Sequence, residues 1–472
     1  MIFKILIAKI NHMKHVLIIL FFFIKSTSYG QCPNQLTILY TQEEIDNFSQ
    51  NFPNCTDLAY DLRVDGTSNQ ITNLNGLSSI ITSKNILILY TQITSLEGLN
   101  TLESAEIFTL WGNQNINNLE GLGALNSMNS FQLYENNNLF GLDGMDSIQS
   151  INEIIFFENI NLEDISSLSI ITSLQSLILS GNTLTDLDGL QNLVTIENNL
   201  QISRENLINI NELSNIESIG GSLILTNNFY LQDISVFENI EILLDLYIVN
   251  CTSLISLKGL ERLSTVMGEL RIGFNSVITN LSHLKNIVSV DYLDIYENEN
   301  LTTLQGIESI KYIEKRLFID SNINLTSIKA LKYLEFPSAI DEVIIINNTN
   351  LEICNNDFIC AIADNPYVEK FFFNNATGCA TIEEVEESCS LNFDDSYVDD
   401  LIIMYPNPIL DNVNLSIVGD AYYIKTQIYS TLGMLVFEST DKKMNLSMLD
   451  SGSYTAKLTT NKGVFFKKII KE

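Results

Sequence analysis

Few side chains of this sequence are suited to acid–base or nucleophilic chemistry. Its 472 residues include three histidines, and two of them, His12 and His15, lie close to the N-terminus, before a short apolar run. A Ser/His/Asp triad would therefore have to use His283. The sequence contains no Gly-x-Ser-x-Gly elbow, no Gly-x-x-x-x-Gly-Lys-Ser/Thr phosphate loop and no His/Cys cluster with zinc spacing. We expect no enzymatic activity, no cofactor and no metal ion.

One pair of carboxylates has a spacing that resembles catalytic and metal-binding pairs. Glu135 and Glu158 occupy the same position of two consecutive sequence repeats, and stacked strands would bring them about 5 Å apart. That separation suits a retaining glycosidase or a calcium site. The same position of other repeats is not constant in type, since it holds Gly112, Asn227, Asn250, Phe274 and Glu297. We therefore interpret both acids as part of a solvated rim, and a polysaccharide-active β-solenoid enzyme is the less favoured function.

Three aromatic residues form a regular series that favours binding. Trp111, Tyr134 and Phe157 occupy the same position of three consecutive repeats, and Leu89 precedes them there. On an exposed sheet, such a row offers flat faces and polar edges that suit sugar rings or a protein partner. Cross-strand aromatic pairs also stabilise a sheet without binding anything. Both interpretations stay open, and these four residues are the candidate ligand-binding site.

The elements that position these residues are repeats of 22 to 24 residues. Each repeat carries a leucine tetrad, such as LEGL at 96–99 and again at 119–122, and twelve copies lie between Leu74 and Leu331. In seven repeats an asparagine, such as Asn113, stands six residues before the tetrad, and Cys251 takes that place in another. A segment in which apolar and polar residues alternate, as in a β-strand, precedes this asparagine or cysteine. A fixed period of this length predicts one structural coil per repeat and a solenoid with a long exposed surface.

The consensus L-x-L-x-x-N/C-x-x-L-x-x-L-x-G-L resembles the leucine-rich repeat family. The second half of each repeat is short, glycine-rich and β-branched, without helical periodicity. It is similar to the L domains of cell-surface receptors, a resemblance that implies a mainly β, right-handed parallel-β solenoid with two or three short strands per coil. Because the family accepts asparagine or cysteine at the turn position, we expect Cys251 to be a free, buried thiol.

Six further cysteines flank the repeats and favour disulfide-linked caps in an exported protein. Cys32 and Cys55 precede the first repeat, and a group of four follows the last one, namely Cys354, Cys360, Cys379 and Cys389. Covalent caps would cover the apolar ends of a solenoid. The pairing among the four stays open.

The N-terminal residues have the features of a secretory signal. A basic start at Met13 precedes a nine-residue apolar run at 16–24, and small residues precede an expected cleavage site before Gln31. Translation starting at Met1 or at Met13 stays open. No other stretch of 18 apolar residues occurs, so we expect no transmembrane segment. The formal charge is −32, and loss of the four lysines in residues 1–30 leaves −36, which argues against nucleic acid and anionic lipid as partners.

The C-terminal 70 residues have a different sequence pattern. They contain about seven short strand-like segments, which is typical of a small antiparallel sandwich. The segments YPNP at 405–408, IYSTLG at 428–433 and LDSGSY at 449–454 resemble the type A C-terminal sorting domain of the type IX secretion system of Bacteroidetes. The resemblance assigns sorting-motif roles to Tyr405, Pro406, Asn407, Pro408, Gly433, Gly452 and Tyr454. It implies translocation across the outer membrane by that machinery, followed by removal of the domain and, often, attachment to surface lipopolysaccharide. An ordinary immunoglobulin-like binding module is the alternative.

These features predict the following organisation. We expect a signal peptide at 1–30, an N-terminal cap at 31–60, the leucine-rich-repeat solenoid at 61–350, a C-terminal cap at 351–390, an acidic linker at 391–400 and the sorting domain at 401–472. We expect a secreted, cell-surface protein that binds an extracellular glycan or protein through the solenoid's β-face. A structural surface protein without a discrete ligand is the alternative. The sequence leaves the ligand, the oligomeric state, and anchoring versus release open.

Overall fold

A computed structural model describes residues 32–335, 340–390, 402–417, 423–430, 434–460 and 463–472. The expected signal peptide and the acidic linker at 391–400 lie outside these residues. The chain divides into two units, of which the first ends at Glu386 and the second begins at Glu387.

The first unit is a solenoid whose coils each add one strand to a single sheet. Its strands are, in chain order, β1 (Thr37–Leu39), β2 (Asp57–Leu58), β3 (Leu62–Asp65), β4 (Thr82–Leu89), β5 (Ser104–Trp111), β6 (Ser127–Tyr134), β7 (Ser150–Phe157), β8 (Ser173–Leu174), β9 (Ser176–Ser180), β10 (Thr195–Ile196), β11 (Leu200–Ser203), β12 (Ser218–Ile219), β13 (Leu223–Thr226), β14 (Ile242–Leu243), β15 (Leu246–Val249), β16 (Thr265–Val266), β17 (Glu269–Gly273), β18 (Ser289–Tyr296), β19 (Tyr312–Asp320), β20 (Glu342–Ile346) and β21 (Glu369–Phe373).

Sixteen of these strands form the main sheet; fifteen follow one another in chain order from β1 to β21, and β2 pairs with β4 beside this path. Neighbouring strands pair in parallel, and the register advances by one repeat at each step, so that Phe131 pairs with Ile154 and Leu133 with Phe156. Five two-residue strands, β8, β10, β12, β14 and β16, form two small parallel sheets of their own. In the described coils a separate second strand therefore occurs at β2, beside β3, and from β8 to β16, and this is fewer than the sequence predicts.

Short helical turns complete the coils and caps. The α-helices of this unit are α1 (Gln42–Asp46), α2 (Phe48–Asn51), α3 (Asp357–Ala363) and α4 (Ile382–Ser390), and the 3₁₀ turns span Asn75–Leu77, Ser166–Leu168, Asn211–Asn215, Ser235–Phe237, Ser282–Leu284 and Lys329–Tyr333. The C-terminal cap contains α3, β21 and α4.

The repeated leucines form the core because strand alternation directs every second side chain inward. Phe131 and Leu133 of β6 and the tetrad residues Leu119 and Leu122 are fully buried. Gly121 of the same tetrad has φ +108, and a Cβ built on it would lie 2.2 Å from the carbonyl carbon of Leu96 in the preceding coil. Glycine is required there by both the backbone conformation and the close approach.

A ladder of buried side chains joins the coils at the turn after each strand. Asn136 Oδ1 accepts a hydrogen bond from the Asn113 backbone N–H at 3.1 Å, and Asn136 Nδ2 donates to the Leu110 carbonyl at 3.0 Å. The asparagines at the equivalent positions of other coils repeat this arrangement, and these are Asn113, Asn159, Asn182, Asn228, Asn275, Asn298, Asn322, Asn348 and Asn375. We call this set, with Cys251 and Glu205, the asparagine ladder. The seven asparagines six residues before a tetrad, and Cys251, all belong to it.

The residue immediately before each ladder residue has a left-handed backbone, and so does Tyr90, which precedes Thr91 at the corresponding position of an earlier coil; we call these the rim residues. From Tyr90 to Asn374 every rim residue has a positive φ, between 51° and 59° at the non-glycine positions. This conformation turns the chain sharply out of the strand and carries the rim side chain to the edge of the main sheet.

Cys251 takes an asparagine's place, as the sequence predicts. It is fully buried and free, its backbone N–H donates to Asn275 Oδ1 at 3.0 Å, and its Sγ lies 3.6 Å from the Leu225 carbonyl oxygen. Burial raises the pKa of the Cys251 thiol to about 12, so the thiol form persists at neutral pH.

Glu205 is the one acidic residue in the ladder. Its Oε1 accepts from the Asn182 N–H at 3.1 Å and from Asn182 Nδ2 at 3.0 Å, and its Oε2 accepts from the Leu184 N–H at 3.2 Å. Loss of hydration on burial raises the pKa of Glu205 to about 7, although these hydrogen bonds oppose the shift.

Disulfide bonds close both ends of the solenoid. Cys32 pairs with Cys55, and Cys354 pairs with Cys379. Cys360 and Cys389 are disulfide-bonded as well. All six cysteines that the sequence assigns to caps therefore form disulfides.

The second unit is a small antiparallel β domain. Its strands are β22 (Ile402–Tyr405), β23 (Asn412–Ile417), β24 (Tyr423–Ser430), β25 (Leu435–Ser439), β26 (Lys443–Asn445), β27 (Gly452–Thr460) and β28 (Gly463–Lys471). They form a three-stranded sheet, β22-β23-β26, and a four-stranded sheet, β25-β24-β27-β28. A core that includes Val413, Ile428 and Leu458 is contributed by both sheets. The predicted strand count and class are confirmed.

Removing one rung of the ladder should destabilise the solenoid. Asn136→Ala would leave the buried Asn113 N–H and Leu110 carbonyl without their partners, so we expect the free energy of unfolding to fall by about 2–4 kcal/mol. Urea denaturation of the variant measures this. The control is Asn152→Ala, which removes an exposed amide. Equal urea midpoints for the two variants would contradict the role of the ladder.

Glu205 should make stability depend on pH. Its folded-state pKa lies above the ordinary value of 4.5, so the folded chain binds this proton more tightly, and the free energy of unfolding falls as pH rises from about 4.5 through 7. The full loss is on the order of 3 kcal/mol. Glu205→Gln, neutral at every pH, should match the parent near pH 5 and exceed its stability at pH 8.

Urea unfolding of parent and variant at several pH values checks this expectation. Glu217→Gln, which removes one exposed negative charge, is the matched control. A stability difference between parent and Glu205→Gln that stays constant over the whole pH range would contradict the assignment.

Candidate functional site

The solvent side of the main sheet carries the residues that the sequence singles out. We call this side the β-face, and it consists of the outward side chains two, four and six positions before each ladder residue, together with the rim residues. Strand pairing aligns Leu89 with Trp111, Trp111 with Tyr134, and Tyr134 with Phe157. The predicted series is therefore brought together on adjacent strands.

Four aromatic residues of consecutive coils form what we call the aromatic row, namely Tyr90, Trp111, Tyr134 and Phe157. The Trp111 ring centroid lies 5.9 Å from that of Tyr90 and 5.6 Å from that of Tyr134. Trp111 is 40% exposed, Tyr90 is 39% and Phe157 is 37%, whereas Tyr134 is half-buried between its neighbours. The row offers ring faces and edges to solvent.

Leu89 differs from the expectation that it is exposed on the β-face, because it is only 5% exposed. The rim residue Tyr90 takes the outer place instead. Gly112 leaves room for the Tyr90 ring, since a Cβ at Gly112 would lie 2.3 Å from Tyr90 Cδ1. The sequence signal for this arrangement is a glycine at a rim position directly after an aromatic rim residue in the preceding coil.

Polar groups surround the aromatic row and hold its orientation. The Trp111 Nε1–H donates to Glu135 Oε1 at 3.3 Å. Arg204 forms an ion pair with Glu158 at 2.5 Å, and its guanidinium lies 5.5 Å from the centre of the Phe157 ring. Burial, and secondly the Glu153 charge, raise the pKa of Tyr134, so its phenol stays protonated and can donate a hydrogen bond.

Glu135 and Glu158, the acidic pair considered for catalysis or calcium, therefore serve different partners. One accepts from the indole, and the other is paired with a guanidinium. Among the described residues, no group of three or more His, Cys, Asp and Glu side chains is arranged to hold a metal ion. His283 lies apart from the aromatic row, with its Nε2 3.8 Å from Glu261 Oε1.

Beyond Phe157 the column two positions before the ladder changes from aromatic to smaller side chains. The same column continues with Ser180, Ser203, Thr226, Val249 and Gly273. The hydroxyls of Ser203 and Thr226 are hydrogen-bonded to each other at 2.7 Å. The aromatic row therefore stands at one end of a shallow floor of small side chains.

The predicted sorting-motif residues lie in the second unit. Asn407, in the YPNP segment with Tyr405, Pro406 and Pro408, donates through Nδ2 to the Lys468 carbonyl at 3.0 Å and accepts through Oδ1 from the Ile470 N–H at 2.8 Å. Gly452 begins β27, and the Tyr454 hydroxyl donates to the Asp450 carbonyl at 2.8 Å. Gly433 lies outside the described residues.

Comparison with known proteins identifies this second unit. Residues 403–472 match the family described as secretion system C-terminal sorting domain. The chain therefore carries a type IX secretion sorting domain, and the protein is exported to the cell surface. In the described part of the chain, no helix is both long enough and apolar enough to cross a membrane.

The whole chain was also compared with curated proteins and with solved structures. No curated protein matches the chain. Among solved structures, it is similar to an internalin from Listeria monocytogenes, with 18% identity and a TM-score of 0.41, over 74% of this chain and 86% of that chain. It is also similar to the structure of a TLR13–ssRNA13 complex, with 15% identity and a TM-score of 0.30, over 68% of this chain and 65% of that chain.

Deletion of residues 403–472 should abolish surface export. The remaining solenoid keeps its own core and disulfides, so we expect it to accumulate folded in the periplasm. Cell fractionation and protease accessibility on intact cells measure this, with the full chain as control. Surface exposure of the truncated chain at the level of the full chain would contradict the sorting role.

Proposed function

We propose that this protein is a cell-surface binding protein whose β-face recognises an extracellular glycan or protein. The observation that carries this proposal is the aromatic row, in which four adjacent rings remain partly open to solvent on the outer side of the sheet. Because aromatic rings gain free energy when their exposed area is buried, a contiguous row of them favours contact with a partner.

The surroundings of the row support recognition more than sheet stabilisation alone. Ring pairs at these distances stabilise the sheet by about 0.5–1.5 kcal/mol each. Stabilisation does not require the rim residue Tyr90 to be aromatic and to place its ring at Gly112, where it stays 39% exposed. Hydrogen-bonding groups at the edge, such as the Glu135 carboxylate, add the directional contacts that a specific partner needs.

We propose binding rather than catalysis. A retaining glycosidase needs one carboxyl group as a free nucleophile and the other as a proton donor. Here Glu158 is ion-paired with Arg204, and Glu135 accepts from the indole of Trp111. These contacts suit two acids that orient their neighbours.

The binding proposal predicts loss of ligand when the row is removed. The solenoid, residues 32–390, would be screened on a glycan array and against extracts of cell and matrix surfaces. Trp111→Ala/Tyr134→Ala/Phe157→Ala should weaken any detected interaction at least tenfold, which corresponds to about 1.4 kcal/mol. The single tryptophan also reports binding directly, because ligand contact changes its fluorescence.

The matched control replaces three exposed aromatic residues that lie away from the β-face, Phe229, Tyr230 and Tyr333, by alanine. It should bind as the parent does, and thermal midpoints verify folding of both variants. Equal binding by the two triple variants would contradict the site. Absence of any ligand, combined with self-association of the parent, would favour a structural surface protein instead.

A further inference from the structure

A second group of aromatic and charged side chains lies farther along the β-face, on strands β17 to β20. It surrounds a recess of about 240 Å³ lined by Arg271, Asp294, Tyr296, Arg316, Phe318 and Ile344. We call this the Arg–Asp recess. Seven strand steps separate β6, in the aromatic row, from β18, and at about 4.8 Å per step they place the two groups roughly 30 Å apart. The recess is therefore distinct from the aromatic row.

The charges of the Arg–Asp recess are balanced within the protein. Asp294 is only 3% exposed, and Arg316 holds it with two hydrogen bonds, Nη2 to Oδ2 at 2.6 Å and Nε to Oδ1 at 3.2 Å. Arg271 Nη2 lies 3.3 Å from Asp294 Oδ2 and 2.8 Å from Glu269 Oε2. Two guanidinium groups thus face two carboxylates in a fixed network.

Aromatic rings form the walls of the recess. Tyr296 lies between Phe274 and Phe318, with ring centroids 5.4 Å and 6.1 Å away. Gly273, on the neighbouring strand, gives the Tyr296 ring its place, because a Cβ there would lie 2.4 Å from Tyr296 Cζ. The Arg316 guanidinium lies 5.7 Å from the centre of the Phe318 ring. Packing and hydrogen bonds therefore hold the donors, acceptors and ring faces in place before any ligand arrives.

The charged groups and rings of the Arg–Asp recess favour one class of ligand over others. An anionic ligand would have to compete with Asp294 and Glu269 for guanidinium groups they already neutralise, and the strongly acidic chain would repel it. A purely apolar ligand would cover charged groups without replacing their water, which is unfavourable. A neutral polyol with one apolar face has hydroxyls for both the N–H donors and the carboxylate acceptors, and C–H groups for the rings.

We propose that the Arg–Asp recess binds an uncharged sugar unit and so forms a second glycan subsite on the β-face. The proposal rests on the proposed function, because it assigns the ligand class of the same face. Tyr296 and Phe318 supply the stacking surface. Arg271, Arg316 and Asp294 supply the hydrogen bonds that fix the sugar hydroxyls.

The test uses the mature full-length chain and isothermal titration calorimetry with defined probes. The neutral probes are the hexasaccharides of β-1,3-glucan, β-1,4-glucan, β-1,4-mannan and β-1,4-xylan, and the anionic probe is oligogalacturonate. Two variants change the recess. Phe318→Ala removes one wall, and Gly273→Ala displaces the Tyr296 ring without removing a functional group. Tyr333→Ala, an exposed aromatic outside the β-face, is the control.

We expect at least one neutral hexasaccharide to bind, its affinity to fall at least tenfold in both recess variants, and the control to bind as the parent does. Thermal midpoints close to that of the parent verify folding. The proposal is overturned if no neutral probe binds, if the recess variants bind a neutral probe as tightly as the parent, or if oligogalacturonate binds in the recess with the same losses.

Trp111→Ala separates this proposal from the proposed function. Loss of binding in Trp111→Ala alone would leave the aromatic row as a binding site and overturn the recess. Loss in the recess variants alone would support the recess and contradict the aromatic row. Binding of protein from surface extracts without binding of any neutral probe would retain the proposed function with a protein ligand, and overturn the sugar subsite.

Discussion

Every coil of this protein depends on satisfying the backbone groups of the turn that follows its strand. The turn places peptide N–H and C=O groups where water is excluded, and an unpaired group there costs more than an ordinary hydrogen bond contributes. The ladder side chain of one coil meets two of these groups from the coil before it. Stacking of the coils therefore buries the leucines and also completes the hydrogen bonds of the turns. A single coil without its neighbour would have exposed leucines and unpaired turn groups.

This constraint separates the residues that maintain the solenoid from those free to take part in function. Inward strand positions, tetrads and ladder residues are committed to the interior, and the rim residues are committed to a left-handed backbone. The outward side chains are not needed for the interior packing or for the turn conformation. The aromatic row and the Arg–Asp recess both use these outward and rim positions, so that two chemically different surfaces can be placed on coils with the same interior.

The sequence predicts the repetitive part of the molecule well because its physical basis is periodic. Period, strand alternation and the asparagine position together specify the parallel sheet, the buried Cys251 and the cysteine-rich caps. Position along the repeat does not reveal the direction of a side chain at a strand end. Leu89 has the same position in its repeat as Trp111, but its side chain is buried. The left-handed backbone at Tyr90 places the tyrosine ring on the outside instead. The spacing of six residues to the tetrad also does not identify Glu205 and Asn182 as ladder residues, because each of them stands five residues before its tetrad.

The Arg–Asp recess was not predicted for a similar reason. Arg271, Asp294 and Arg316 belong to three different coils, and none of them stands out within its own repeat. Their relation appears only when the register aligns them on adjacent strands. The charge composition does not predict this site either, because a strongly acidic chain gives little reason to expect two guanidinium groups side by side.

The glycines beneath Tyr90 and Tyr296 have a consequence for how such a surface can change over time. In both cases the ring belongs to one coil and the space it fills belongs to the next or the previous one. Loss or duplication of one whole repeat in frame would keep a strand, a tetrad and a ladder position in every coil. It would nevertheless separate a ring from its glycine and create a new outer surface in a single genetic event. A change in the number of repeats therefore alters the outer surface at the junction between two coils, whereas the interior pattern is carried by each coil.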